Sequence, residues 1–148
     1  EWFMVPQPTA DLVNLTRAAG RRVVAVGTTS TRALESAADA GGQVRARSGL
    51  AELVLGRGRP ARVVTGLITG WHDAGASHLA LLDAVAGPAL VRAAYEEADR
   101  HGYLWHEFGD SCLLLPPASW RRPASGTGSG PPAQAGMAGP VAARAAGQ

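Results

Sequence analysis

The sequence predicts an α/β fold, a mixed sheet with flanking helices, on three observations. Apolar residues Leu12, Val13, Leu15 and Ala19 recur at an approximately helical spacing in "PTADLVNLTRAAG". The run Val23 to Val26 is continuously apolar, as a parallel strand buried on both faces would be. A second helical stretch follows that run at once, so helix, strand and helix succeed one another in the order of an α/β layer. The chain has 148 residues, 46% of them hydrophobic, which suits one domain with a real core.

Each element has its own signal. The opening "EWFMVP" reads as the end of a strand. Thr9 suits the N-cap and Gly20 the stop of the first helix. "RRVVAVG" is the short strand, and Thr31 to Ala40 make the next helix, ended by Gly41 and Gly42. "AELVL" and "ARVVTGLIT" are expected strands, joined by the turn "GRGRP". "SHLALLDAVAG" and "PALVRAAYEEADRHG" are expected helices divided at Gly87, with Pro88 placed for a first turn. "YLWHEFGDSCLLLP" reads as strand, tight turn at Gly109-Asp110, and strand. From residue 117 to 148 Pro, Gly, Ser and Ala dominate, with little to pack beyond Trp120, Met137 and Val141. That segment is expected to be a disordered tail behind a body spanning residues 1–116.

Composition narrows the function classes. All 12 acidic residues precede Pro116, whereas Arg121, Arg122 and Arg144 of the 14 basic residues follow it. The body therefore carries 11 basic against 12 acidic side chains, net −1, and the pI of 9.3 comes from the tail. Such a body has no electrostatic footprint for gripping nucleic acid by itself. Every basic residue is Arg, which reads mainly as coding bias. The single Cys112 cannot form an internal disulfide, which fits a reducing compartment. No apolar run approaches the length of a membrane span. The His residues and the lone Cys show none of the usual metal-ligand spacings, so no metal is expected. Glu1 lies within what reads as a strand, so the chain is expected to begin in the middle of something longer.

Two stretches invite a ligand. In "VVAVGTTSTRALESAA" the hydroxyls of Thr28, Thr29, Ser30 and Thr31 crowd the corner between strand and helix. Ligands of α/β sheets sit there, where the helix presents free backbone N–H groups. Arg32 and Glu35 lie on one side of the new helix. The plainer alternative is that Ser30 or Thr31 caps the helix and the other hydroxyls are solvated. In "GLITGWHDAGASHLALL", His72 beside Asp73 could move a proton and Trp71 could stack on a base. The plainer alternative there is a Ser77 helix cap and a Trp71 that plugs the core edge. Asp110, after Gly109, is commonly a turn residue.

Taken together, "GRRVVAVGTTSTRALESAA", "VVTGLITGWHDAGASHL" and "AYEEADRHGYLWHEFGDSCLLL" resemble the S-adenosylmethionine:tRNA ribosyltransferase-isomerase family of queuosine biosynthesis, over Glu1 to about Leu115. The most specific part is G-T-T-S-x-R-x-L-E-S, matched without a gap from Gly27 to Ser36. The resemblance implies the C-terminal part of an α/β domain, in a cytoplasmic enzyme that uses S-adenosylmethionine as ribosyl donor and tRNA as acceptor. The ribosyl unit passes to 7-aminomethyl-7-deazaguanine and isomerises to give epoxyqueuosine, while adenine and methionine leave. It assigns substrate binding to Thr28, Thr29, Ser30, Arg32, Trp71 and Ser77. His72 becomes the acid/base, Glu35 an orienter of Arg32 or of a ribose hydroxyl, and Asp110 a further catalytic candidate.

Where the family typically reads N-F-H-L-P-x-S-x-L, this chain has "GWHDAGASHL". Family members also carry a substantial N-terminal region, with an inserted β-barrel domain, before the point matched by Glu1. The chain is therefore expected to be a fragment, inactive alone. A non-catalytic binding module of the same fold, or a transferase for another purine-like acceptor, stays open beside that reading.

Overall fold

The computed structural model describes residues 1–73 and 77–117. The chain runs through β1 (Trp2–Val5), α1 (Gln7–Ala18), β2 (Val24–Val26), α2 (Thr28–Ser36), β3 (Arg47–Leu50) and β4 (Gly66–Gly70). It continues through α3 (Ser77–Ala86), α4 (Pro88–His101), a 3₁₀ turn (His106–Phe108) and β5 (Ser111–Leu114). β1 and β3 form an antiparallel pair. The other sheet is mixed, in the order β2-β4-β5, with β2 parallel and β5 antiparallel to the central β4. The fold is thus the expected mixed α/β arrangement. The tail expected from residue 117 lies, beyond Pro117 itself, outside the described residues.

Several boundaries differ from the sequence expectation, each for a local reason. α1 starts at Gln7 because Pro6, extended at φ −68° and ψ 158°, takes the N-cap and a proline occupies the first turn. Thr9 is therefore inside the helix. α2 starts at Thr28, not Thr31, because Gly27 turns at φ 84° and ψ 157° straight from strand into helix. It also stops early, at Ser36, where Ala38 bridges Val44 and Asp39 Oδ1 accepts from the amides of Gly41 and Gln43.

The expected strand at 51–55 is irregular, and "RSGL" just before it pairs with β1 instead. Its register is set by the partner strand, since Arg-Ser-Gly-Leu has little strand propensity of its own. Residues 61–65 also fall short of strand, because Glu35 of α2 takes the amides of Arg62, Val63 and Val64, as described below. The expected strand at 103–108 is replaced by the 3₁₀ turn, whose His106 amide donates to Trp71 O at 3.0 Å.

Two apolar clusters meet at the partly buried Leu34 of α2. One gathers Phe3, Val5, Ala10, Val13, Val23, Val44 and Val63 beneath β1 and α1. The other joins Ala25, Leu67 and Leu114 of the mixed sheet to Leu81, Leu82, Val85 and Val91 of α3 and α4. One expectation for β2 fails here. Only Ala25 is covered, while Val24 and Val26 on the opposite face are 39% and 67% exposed.

Candidate functional site

The parallel pairing of β2 with β4 puts both carboxyl ends on one edge of the sheet. Gly27 N donates to Ile68 O at 2.8 Å, which sets the start of α2 beside the end of β4. The antiparallel β5 begins at the same edge, with Ser111 opposite Gly70. The stretches singled out from sequence therefore converge, although 44 residues separate Thr28 from His72.

At the α2 corner no side chain caps the helix. The amides of its first turn have no acceptor within the helix and carry the positive end of its dipole. Thr31, expected as a possible cap, is fully buried and its hydroxyl donates to Gly27 O at 3.1 Å. Ser30 is exposed, and Thr28 and Arg32 are half-buried. Thr29 Oγ1 donates to Glu1 Oε1 at 3.0 Å, which leaves its lone pairs as the part open to another donor.

Glu35 departs from its expected role. It is 2% exposed, and its carboxylate accepts the amides of Arg62, Val63 and Val64 at 2.8–3.0 Å. It points inward from α2 and holds the segment leading into β4. A side chain so occupied orients neither Arg32 nor a ligand hydroxyl.

At the end of β4, Thr69 is buried and its hydroxyl lies 3.0 Å from His72 Nε2. The His72 amide donates to the Tyr95 hydroxyl of α4 at 2.9 Å. The His72 ring stacks on His78 with centroids 4.6 Å apart and lies 5.1 Å from His106. Burial is the main force pushing the His72 pKa below its ordinary 6.5, helped by the neighbouring imidazoles of His78 and His106 and opposed by Asp73. The result is a ring held neutral near pH 7, able to accept a proton. Cys112, opposite Thr69 on β5, is an inert neighbour, its thiol pushed up to about 11 by burial.

Trp71 also departs from its expected role. It is 6% exposed and packs edge-on against Tyr95 at 4.9 Å, with Tyr103 at 6.0 Å. It fills the core edge, so it offers no face to a base. Asp110 Oδ2 accepts the Leu104 amide at 2.6 Å and braces the turn around Gly109, the commonplace role for that residue type. Ser77 is the exposed first residue of α3. The loop residues 74–76 before it lie outside the described residues. Among the described residues no group of His, Cys, Asp or Glu is arranged to hold a metal ion. No helix among them is long and apolar enough to cross a membrane.

Sequence reasoning missed Thr69, Tyr95 and His106 as neighbours of His72. Thr69 was legible as the last residue of the strand. Tyr95 and His106 were not, because helix packing and the 3₁₀ turn bring them in.

The family described as "Queuosine biosynthesis protein" matches residues 1–114. An S-adenosylmethionine:tRNA ribosyltransferase-isomerase of Hyphomonas neptunium is 43% identical over 116 residues, covering 78% of this chain and 33% of the relative. A protein of the same name from Gloeobacter violaceus is 45% identical over 118 residues, covering 80% of this chain and 34% of its own length. The crystal structure of an S-adenosylmethionine tRNA ribosyltransferase from Thermotoga maritima is similar at TM-score 0.69 and 34% identity, over 77% of this chain and 40% of that one. The chain spans about a third of the length of the curated relatives it matches.

Proposed function

Since the chain belongs to the queuosine biosynthesis protein family, we propose that it supplies one wall of the active site of an S-adenosylmethionine:tRNA ribosyltransferase-isomerase. In this reading residues 1–116 are the α/β portion that carries the wall. The observation that carries it is the shared carboxyl edge, where the first turn of α2 and the His72 cluster sit side by side.

The roles follow from what each group can donate or accept. Arg32 offers a planar fork to the methionine carboxylate of S-adenosylmethionine. Thr28 and Ser30 hydroxyls and the first-turn amides donate to ribose or carboxylate oxygens. Thr29, whose proton goes to Glu1, accepts from a ribose hydroxyl. A sulfonium acidifies the carbon beside it, and His72 takes that proton as a neutral imidazole. Ser77 adds a hydroxyl from the α3 side. Glu35, Trp71 and Asp110 hold this wall in shape and touch no substrate. The near-neutral body leaves most of the tRNA surface to the rest of the enzyme, which works in the cytoplasm where its tRNA is.

The test joins the full chain, in place of the aligned third, to the remainder of the Hyphomonas neptunium relative. Calorimetry should show S-adenosylmethionine binding, weakened about tenfold or more by Arg32→Ala, since charged hydrogen bonds are lost. No binding by the joined protein would sink the enzyme reading and leave a binding module. Turnover only on an acceptor other than tRNA bearing the aminomethyl base would overturn the acceptor assignment.

A further inference from the structure

Two imidazoles at the carboxyl edge are fixed to one stretch of backbone. His72 follows Trp71 in the chain, and Trp71 O accepts both the His106 amide at 3.0 Å and the His106 ring at 3.1 Å. The 3₁₀ turn closes again where the Gly109 amide donates to His106 O at 3.1 Å. Beneath it Gly70 leaves no space, since an added Cβ would sit 3.1 Å from His106 Cα. The spacing of the two rings, 5.1 Å between centroids, is therefore set by backbone contacts.

A carbonyl oxygen only accepts, so the His106 nitrogen that meets Trp71 O, Nδ1, carries a proton. Glu107 Oε2, 3.4 Å from the same nitrogen, is an acceptor too. Nε2 is then the atom that gains and loses a proton, on a side chain that is 56% exposed. An anchored Nδ1–H with an open Nε2 is the arrangement of a general acid or base. His78 also lies beside His72, but it stacks nearly flat, at 20° between planes. Among the described residues no hydrogen bond fixes its ring.

The proposed reaction leaves one proton without a source. Moving the ribosyl unit of S-adenosylmethionine elsewhere breaks the bond between ribose C1′ and adenine N9, and an adenine anion is a poor leaving group. His72 removes a proton and supplies none to the purine. Arg32 stays charged and gives no proton up, and Asp110 is occupied as an acceptor by the Leu104 amide.

We infer that His106 is a second catalytic residue of this edge, the general acid that delivers a proton from Nε2 to the departing adenine. The inference rests on the ribosyltransferase reading and adds a residue to it. The electron pair of the C1′–N9 bond goes to adenine, the His106 imidazolium supplies the proton, and neutral adenine leaves. The proton that His72 takes from the carbon beside the sulfonium then passes across to His106. The pair returns to its starting state with no proton gained or lost.

The experiment has a spectroscopic arm and a kinetic one. In the chain itself, proton–nitrogen correlation NMR at about pH 8 should show neutral His106 with its proton on Nδ1 and its lone pair at Nε2. A proton on Nε2 instead would overturn the inference whatever the activity. In the joined protein described above, His106→Asn keeps a donor for Trp71 O and removes the acid. Its single-turnover rate should fall about 100-fold or more, while S-adenosylmethionine affinity by calorimetry stays within about twofold. The loss should shrink to about tenfold or less with a donor carrying hypoxanthine, a more acidic leaving group, in place of adenine. Free imidazole should speed His106→Ala by about tenfold or more, because the position is open to solvent. A merely structural role would slow both donors equally and would not respond to imidazole. An unchanged rate in His106→Asn, equal losses on the two donors, or the leaving-group dependence appearing in His78→Asn instead would each overturn the inference. Those outcomes leave the parent active and the ribosyltransferase reading intact, whereas an inactive joined parent removes both.

Discussion

His72 is where burial and charge act on the same proton. Its ring is partly withdrawn from water, and His78 and His106 stand beside it, so the protonated form is disfavoured. In the folded chain its titration midpoint should fall below 6.5, read from its imidazole resonances by NMR. His106→Ala should raise that midpoint by removing a repulsive neighbour, and Asp73→Asn should lower it further. The sign for stability follows by linkage. The unfolded chain binds the proton more readily, so this contribution is present above pH 6.5 and is lost as pH falls toward the folded midpoint. A His72 midpoint above 6.5, or one indifferent to His106→Ala, would remove the basis for a neutral acceptor at this edge.

Among the elements, two glycines do different work at the same edge. Gly27 starts α2 from φ 84° and ψ 157°, a region open essentially to glycine alone, yet an added Cβ there meets nothing within 4 Å. Gly70 ends β4 with an ordinary backbone but no room. Its added Cβ would run into His106 Cβ and sit 3.1 Å from His106 Cα. Gly27→Ala and Gly70→Ala should each cost about 1–3 kcal/mol in urea unfolding, one through backbone strain and the other through overpacking. Only Gly70→Ala should also raise the His72 midpoint, because it pushes the 3₁₀ turn off the strand end and His106 with it. An unchanged His72 titration in Gly70→Ala would show that the turn is free to shift without moving the ring.

Over the whole molecule, what was legible in the sequence is what depends on local spacing. The helical periods, the Val23–Val26 run, the "GRGRP" turn and the hydroxyl-rich corner all follow from neighbouring residues. What was not legible depends on partners distant in the chain. β3 formed on "RSGL" because β1 offers it a register, and Tyr95 and His106 reach His72 only through packing. Glu35 shows the limit most clearly. Its place in G-T-T-S-x-R-x-L-E-S suggested a side chain facing a ligand, and the fold turns it onto amides 27–29 residues further along the chain. Glu35→Ala should leave those three N–H groups without their acceptor and cost about 3 kcal/mol or more, at about 1–3 kcal/mol for each buried group. A change below about 1 kcal/mol in urea unfolding would mean that another acceptor takes them.

The Glu35 contact has a mechanical consequence as well. One carboxylate near the end of α2 grips the residues that feed β4, so it ties the last turn of the helix to the entry of the strand. One side chain near the end of the helix thereby staples it to the entry of the strand beside it. Amide exchange at Arg62, Val63 and Val64 should accordingly be as slow as in the core, despite the lack of a strand ladder there.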